Sequence, residues 1–334
     1  MQVKVLTYCF ILACIDYSRS LAQVPANAGK LILEKTISMP GVKGRLDHLD
    51  VDLAHRVVYV AALGNNSVEV IDLTHGKLIH SIEGLDEPQG IGYIPQHEEV
   101  FIANGGNGDG YFYNAKNFEK IATVHLGSDA DDVRYDSADR KIYVGYGNGG
   151  IAIINTDNHQ LIGNIKLPAH PESFQLDKGL GQIFVNLPDA GMVGVIQLSS
   201  ANLANKWMTQ GLAANFPMAL DERDHLVFIG FRHPAKLVIL DGKSVIPAGS
   251  VSMVGDTDDL YFDPVTGEII ASGGEGAISI FSKMNSVQYK QTANIITRKG
   301  ARTSLFIAPL RLLVVAARAE SSYDAAIMVY KLVP

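Results

Sequence analysis

One short pattern, a polar residue followed by alternating apolar residues, recurs seven times along the chain. Its copies include RVVYVAA at 56–62, EEVFIAN at 98–104 and RKIYVGY at 140–146. The first core residues of successive copies lie 41 to 43 residues apart. They are Val58, Val100, Ile142, Ile183, Leu226, Ile269 and Leu312. A regular period of this length indicates a fold built from repeated supersecondary units.

Three further strand-like segments accompany each copy of the pattern. In the first unit, DHLDVD (47–52) leads into the copy, SVEVIDL (67–73) follows it and KLIHSIEG (77–84) comes last. Gly and Asn residues occupy many of the turns between these segments, because tight hairpins require positive φ angles that these residues tolerate. Seven four-stranded units therefore predict an all-β, seven-bladed β-propeller.

The order of the segments also predicts how the ring of blades closes. An outer-type strand at 30–38 precedes the first complete unit, whereas the seventh unit stops after its segment at 325–331. Residues 30–38 are therefore expected to complete the last blade by pairing with residues 325–331. This pairing leaves no free sheet edge between the first blade and the last.

The N-terminal residues have the composition of an export signal. Lys4 supplies a positive charge, residues 5–15 form an apolar stretch and Ser20-Leu21-Ala22 offers small residues for cleavage. We expect residues 1–22 to be a signal peptide and residues 23–334 to be one propeller domain. The mature protein would then be periplasmic or secreted.

An alternative interpretation of the same segment is a lipoprotein signal with Cys14 as the modified residue. The only other cysteine, Cys9, also lies in this segment. The mature domain would then contain neither a disulfide nor a thiol nucleophile, so its stability must come from its core and its closure.

The charge balance excludes some classes of partner. The chain has 28 Lys and Arg residues against 35 Asp and Glu residues, a net charge of −7. Nucleic-acid binding requires a basic face, so we expect no nucleic-acid partner. No apolar run outside the N-terminal segment is long enough to span a bilayer. We expect a monomer without a membrane span.

The unit at 57–93 resembles the YVTN-repeat, or YncE-like, family of seven-bladed propellers. The residues that carry the resemblance are Tyr59-Val60, Asn65, Ser67-Val68, Val70-Ile71-Asp72, Pro88 and Gly90. The family is more distantly similar to the propeller of periplasmic nitrite reductases and to the propeller lactonases. The resemblance implies a fold and leaves the activity open, because propellers host many unrelated functions.

The loops that lead into the inner strands of a propeller meet at one mouth of its central channel. In this chain they carry an unusual number of charged residues. The predicted ligand-binding residues are Arg45, Asp47, His48, Asp131, Asp132, His170, Glu172, Asp258, Asp259 and Arg302. Crowded carboxylates repel one another unless a cation neutralises them, which suggests a binding site. The alternative is structural, because Asp side chains in turns often cap backbone groups.

Our leading hypothesis is that this mouth binds a small polar molecule, a divalent cation, or both. Asp47, Asp131, Glu172 and Asp258 are the candidate metal ligands. Calcium suits carboxylates that come from separate blades, because it accepts irregular oxygen coordination. Zinc would instead favour the two histidines with one carboxylate.

Two other functions remain open at this stage. The first is a lactonase-like hydrolase, in which His48 or His170 acts as general base and Arg45 or Arg302 stabilises a developing oxyanion. The second is a protein-interaction platform that uses the rim of the propeller.

Overall fold

The apolar periodicity of the sequence produces 28 β-strands in the part of the chain that the structure describes, residues 30–333. In this computed structural model the strands form seven four-stranded antiparallel sheets arranged as the blades of a β-propeller. The predicted fold class is therefore confirmed. The predicted signal peptide and the alternative site at Cys14 lie outside the described residues.

Strand β1 (Leu31–Met39) comes first in the chain. Blade 1 contains β2 (Leu49–Asp52), β3 (Val57–Ala62), β4 (Ser67–Asp72) and β5 (Lys77–Glu83). Blade 2 contains β6 (Pro88–Ile94), β7 (Glu99–Asn104), β8 (Asp109–Asn114) and β9 (Lys120–His125). Blade 3 contains β10 (Ala130–Asp136), β11 (Lys141–Tyr146), β12 (Gly150–Asn155) and β13 (Gln160–Lys166).

The remaining blades repeat this order from the channel to the rim. Blade 4 contains β14 (Phe174–Asp177), β15 (Gln182–Leu187), β16 (Met192–Gln197) and β17 (Asn202–Met208). Blade 5 contains β18 (Ala213–Asp221), β19 (Leu226–His233), β20 (Ala235–Asp241) and β21 (Ile246–Ser252). Blade 6 contains β22 (Thr257–Asp263), β23 (Glu268–Gly273), β24 (Ala277–Lys283) and β25 (Tyr289–Ile296). Blade 7 contains β26 (Ser304–Ile307), β27 (Leu312–Ala317), β28 (Ala325–Leu332) and β1. Short 3₁₀ turns occupy Leu63–Asn65, Pro188–Ala190 and Ala308–Leu310.

The burial of each strand follows its position in the blade. Middle strands are buried on both faces, as Val58 and Tyr59 of β3 show. Outer strands are only partly covered, and Ile79 of β5 is 43% exposed. The core consists of seven apolar clusters, each shared by two neighbouring blades. A middle strand therefore needs an almost continuous apolar sequence, which is the pattern that marks the repeat.

The closure of the ring is the one predicted from the order of segments. Strand β1 pairs antiparallel with β28, from Leu31 opposite Leu332 to Met39 opposite Ala325. Its register shifts between Leu33 and Lys35, and the outer strand of each of the other six blades carries a similar bulge. Bulges increase the local twist of a strand pair. Strand β1 thus has the geometry of a normal outer strand, although it comes from the other end of the sequence.

Within residues 30–333, no helix is long and apolar enough to cross a membrane.

Candidate functional site

Irregular backbone at the start of the inner strands positions the predicted site residues. The pairing of β10 with β11 shifts register between Ala130 and Val133, and that of β22 with β23 shifts between Thr257 and Asp259. A bulge interrupts the alternation of side chains and re-aims the extra residue. Asp131 and Asp258 lie within these two bulges, so their side chains are free to turn towards the axis of the propeller.

The residue two positions before each of these acids also adopts an unusual conformation. Asp129 and Asp256 have positive φ angles of 42° and 51°, and Glu87 and Ala214 share this feature at the same position of the repeat. A left-handed residue turns the chain sharply, and Asp tolerates it better than most residues. These turns bring the loops of several blades together at one end of the channel.

At this end, side chains from five blades surround a cavity of about 20 Å³, room for about one water molecule. We call this group the entrance layer. Its charged members are Arg45, Asp47, His48, Asp131, Asp132, Glu172 and Asp258. The structure thus brings together seven of the ten residues that the sequence predicted.

His48 lies near the centre of the entrance layer. Its Nε2 atom is 3.6 Å from Asp131 Oδ1, and its Nδ1 atom is 3.9 Å from Asp259 Oδ1. Burial alone would lower the pKa of His48, but the carboxylates of Asp47, Asp131 and Asp259 outweigh it and raise the pKa to about 10. His48 is therefore a cation at neutral pH.

The acids of the entrance layer hold protons more tightly than ordinary carboxyl groups. Burial raises the pKa of Asp47 to about 7, against the attraction of His48. Burial, reinforced by Asp131 and Asp258, raises the pKa of Glu172 to about 8. Burial raises the pKa of Asp131 as well, and its Oδ1 atom is buried without a hydrogen-bond partner among the described residues. This oxygen is an acceptor that a bound molecule can use.

Arginines neutralise part of this negative charge. Arg45 Nη2 lies 2.8 Å from Asp47 Oδ2, and burial, which would lower the pKa of Arg45, is outweighed by the surrounding carboxylates. Arg302 contacts Asp258 through Nε at 2.9 Å and Asp256 through Nη1 at 3.0 Å. Asp258 therefore has a salt-bridge partner of its own.

Arg232 contacts the other carboxylate oxygen of Asp258, Oδ1. Its guanidinium group forms an ion pair with Asp258 and stacks on the ring of Phe216, 4.1 Å from the ring centroid. Stacking of this kind fixes the plane of a guanidinium group. Among the predicted metal ligands, Asp258 is thus balanced by two arginines and Asp47 by one.

Two of the predicted ligand residues also join neighbouring blades. Asp132 Oδ2 accepts a hydrogen bond from the backbone N–H of Phe174 at 3.1 Å, and Asp259 Oδ2 accepts one from Ser304 at 2.7 Å. Each bond links the inner strand of one blade to that of the next. At least one carboxylate oxygen of each acid therefore has a structural role, which is to accept a hydrogen bond from a backbone N–H group.

A substitution at Asp259 measures this link between blades. Asp259→Ala leaves the backbone N–H of Ser304, which is buried, without its acceptor, so the free energy of unfolding should fall by about 1–3 kcal/mol. Asp259→Asn keeps an acceptor oxygen and should lose less. Urea denaturation of both variants gives the values. The exposed Asp189 is the control, since Asp189→Ala should change stability by no more than about 0.5 kcal/mol; equal effects at the two positions would exclude the link.

His170 lies to one side of the entrance layer. Its Nδ1–H donates to the carbonyl oxygen of Gly147 at 2.6 Å and lies 3.5 Å from Asp129 Oδ2. It lines neither the entrance cavity nor the central channel. The sequence grouped His170 with His48 because they come from equivalent loops, but the structure gives the two histidines different surroundings.

The space large enough for a ligand lies beyond the entrance layer. A cavity of about 930 Å³ fills the central channel and is lined by inner-strand residues of all seven blades. His48, Asp132, Ser173 and Asp258 line both this channel and the small entrance cavity. The exposed residue Leu53 lines the far end of the channel, which is therefore open to solvent. The entrance layer is the polar end of a deep pocket.

Sequence reasoning missed several residues of this channel. They occur three positions after the predicted acids in the repeat, and they are Asp50, Arg134, Gln175 and Tyr261. Continuing the repeat alignment into the inner strands would have found them. Asp50 Oδ2 accepts from the backbone N–H of Tyr93 at 2.6 Å, and burial raises the pKa of Asp50 to about 6.

The metal hypothesis gains no geometric support. Within residues 30–333, no three His, Cys, Asp or Glu side chains are grouped so as to hold a metal ion. The predicted set of Asp47, Asp131, Glu172 and Asp258 shares one layer, yet arginines and protons already balance much of its charge.

Comparisons with known proteins identify the fold of the chain but not its family. No known protein family matches the chain, and no curated protein does. A chain in the crystal structure of a mitotic checkpoint complex is similar with a TM-score of 0.76 at 16% identity, covering 100% of this chain and 99% of that one. The hydrazine synthase of Kuenenia stuttgartiensis gives a TM-score of 0.75 at 12% identity, covering 87% and 98%. At such identities the likeness is one of fold alone.

Proposed function

We propose that this protein binds a small polar molecule in its central channel, with the polar groups of the ligand against the entrance layer. The observation that carries the proposal is a ligand-sized channel whose polar end is lined by His48, Asp132 and Asp258 of the entrance layer. Binding sites are typically concave, largely apolar and equipped with a few convergent polar groups. The channel has this composition.

The walls of the channel indicate what kind of molecule fits. Val51, Met218 and Leu305 supply apolar surface, while Tyr93 and Tyr261 supply aromatic surface. The polar end presents His48 as a cation, together with the carboxylates of Asp132 and Asp258. A ligand with an apolar body and a head that both donates and accepts hydrogen bonds complements this arrangement.

A divalent cation is the less favoured ligand. It would have to displace the proton that Glu172 holds at neutral pH, because only the ionised carboxylate is a good ligand. It would also share the layer with the positive charges of Arg45 and His48. A neutral or zwitterionic organic molecule meets neither obstacle.

The two histidines that the hydrolase alternative names as general base are not suited to that role in the central channel. A histidine with a pKa near 10 is protonated at neutral pH and has no lone pair with which to accept a proton. His170 does not line the channel. No observation favours catalysis over binding, and none favours a protein partner at the rim. We further propose that the protein is an exported member of the YVTN-repeat propellers, in line with its N-terminal segment and its first repeat.

A thermal-shift screen of polar metabolite-like compounds on the purified protein tests the binding proposal. A compound at about one hundred times its Kd should stabilise the folded protein by about 2.7 kcal/mol. In His48→Gln the affinity should fall about tenfold, because the cationic donor at the polar end of the channel is lost. Val51→Trp should abolish binding by filling the channel.

Asp189→Asn, on the exposed surface, should bind as the wild type does. A compound that stabilises the wild type, His48→Gln and Val51→Trp equally binds elsewhere, and that result contradicts the proposal. The melting temperatures of the unliganded variants show whether each one is folded. A metal salt that stabilises the protein more than any organic compound would favour the cation hypothesis instead.

A further inference from the structure

A further cavity adjoins the entrance layer at Arg45, between the loops of blades 6, 7 and 1. We call it the rim pocket. Its volume is about 210 Å³. The residues that line it are Arg45, Leu46, Asp256, Gly274, Lys299, Gly300, Arg302, Thr303, Ala316 and Arg318. Four of these side chains are cationic and only one is a carboxylate, in a chain whose net charge is −7.

Two of the four cations have structural partners, and two do not. Arg45 pairs with Asp47, and Arg302 pairs with Asp256 and Asp258. For Lys299 and Arg318 there is no Asp or Glu oxygen within 4.0 Å among residues 30–333. Their positive charge is therefore directed at the pocket and the solvent without an internal counter-ion.

Two loop glycines allow charged side chains of the rim pocket to lie close to the backbone. Gly300 has a φ of +78°, and a Cβ atom at this position would lie 2.8 Å from Arg318 Nε. The guanidinium group of Arg318 thus rests directly on the backbone of the 299–300 turn. A Cβ atom at Gly274 would lie 2.0 Å from Asp256 Oδ2. Glycine at both positions lets the charged groups approach the loops closely.

We propose that the rim pocket is a binding site for an oxyanion, a phosphate or carboxylate group. Guanidinium groups bind both groups through paired hydrogen bonds, and an ammonium group adds a point charge. Arg318 and Lys299 are the anion-binding residues, and Arg302 and Arg45 form the inner wall. The rim pocket shares no lining residue with the central channel, so it does not depend on the ligand proposed for the channel.

Isothermal titration calorimetry with inorganic phosphate and with succinate tests this site on the full-length protein. Titrations at low ionic strength avoid screening, and sodium chloride of equal ionic strength is the blank. We expect at least one probe to bind with a Kd below about 10 mM, and Arg318→Gln and Lys299→Gln each to weaken it by about tenfold or more. Phosphate binding alone would indicate a phosphorylated ligand, and succinate binding alone a carboxylate ligand.

Lys290→Gln is the matched control, since it removes the same charge from an exposed position on the outer strand of blade 6. It should bind the probe within about twofold of the wild type, because a distant surface charge acts only through screened electrostatics. Failure of both probes to bind would overturn the proposal. So would a loss of affinity in Lys290→Gln equal to that in Arg318→Gln, because the effect would then come from net charge rather than from the pocket.

Discussion

A chain truncated after residue 324 is expected not to reach a folded, soluble state. The deletion removes β28, which pairs with β27 on one side and with β1 on the other. Two strand edges become exposed at once, and exposed edges template aggregation. The buried side chains of Ile327 and Tyr330 are also lost from two of the inter-blade clusters. Expression of the truncated chain, followed by circular dichroism and thermal denaturation, measures the outcome.

Two alanine substitutions test whether packing at the closing strand pair, rather than the mere shortening of the chain, determines stability. Ile327 of β28 is 0% exposed, and Ile327→Ala should lower the free energy of unfolding by about 2–5 kcal/mol. Ile32 of the partner strand β1 is 50% exposed, and Ile32→Ala should change it by no more than about 0.5 kcal/mol. A truncated chain that stays soluble and unfolds cooperatively would show that the fold does not require this strand pair.

The closure could be predicted because it depends on counting alone. Every blade needs an outer strand, and residues 30–38 were the only segment of that type without a blade. The position of Asp131 and Asp258 could be predicted for a similar reason. Equivalent positions of a repeat must meet around the axis, whatever the details of their loops.

The roles of individual acids could not be predicted in this way. Asp132 and Asp259 follow Asp131 and Asp258 directly in the sequence, yet each gives an oxygen to the backbone of the next blade. The difference arises from bulges that turn successive side chains in different directions. A bulge is a feature of strand pairing, and the alternation of residue types does not mark it.

The charge state of His48 could not be predicted from the sequence either. A histidine beside a carboxylate suggested a general base, whereas four carboxylates from three blades raise its pKa to about 10 and keep it cationic at neutral pH. The three blades that supply these carboxylates are far apart in the sequence, and the distances between them are set by tertiary packing. The same packing closes the predicted mouth to about 20 Å³ and places the larger space beneath it.

The folded protein is expected to lose stability as the pH rises from about 4 to about 10. Glu172 and Asp47 have folded-state pKa values of about 8 and about 7, above their ordinary values of 4.5 and 3.8. The folded state therefore keeps protons that the unfolded chain has released. His48, raised to about 10 from 6.5, acts in the same direction. Between the ordinary and the raised pKa of each group, the free energy of unfolding falls by about 1.4 kcal/mol for each unit by which the pH rises.

At acidic pH the free energy of unfolding depends on pH in the opposite sense, and it falls as the pH falls. Asp52 and Asp263 have lowered pKa values: burial opposes the shift, but hydrogen bonds from His55 and from Arg311 respectively outweigh it. Their stabilising contribution is present above the ordinary pKa of a carboxyl group and is lost as the pH falls through the lowered value. The greatest stability should therefore lie at about pH 4, and guanidinium denaturation from about pH 3 to about pH 9 gives the curve.

Glu172→Gln identifies the source of the alkaline loss. Glutamine resembles the protonated carboxyl group, so the variant should match the wild type at pH 5 and exceed its free energy of unfolding by about 2–4 kcal/mol at pH 9. Glu83→Gln, at an exposed position on β5, should follow the wild-type curve at every pH. A wild-type protein whose stability is constant or rises between pH 6 and 9 would mean that the entrance layer does not hold these protons. In that case its carboxylates would be free for a cation, and the case for an organic ligand over a metal would have to be reversed.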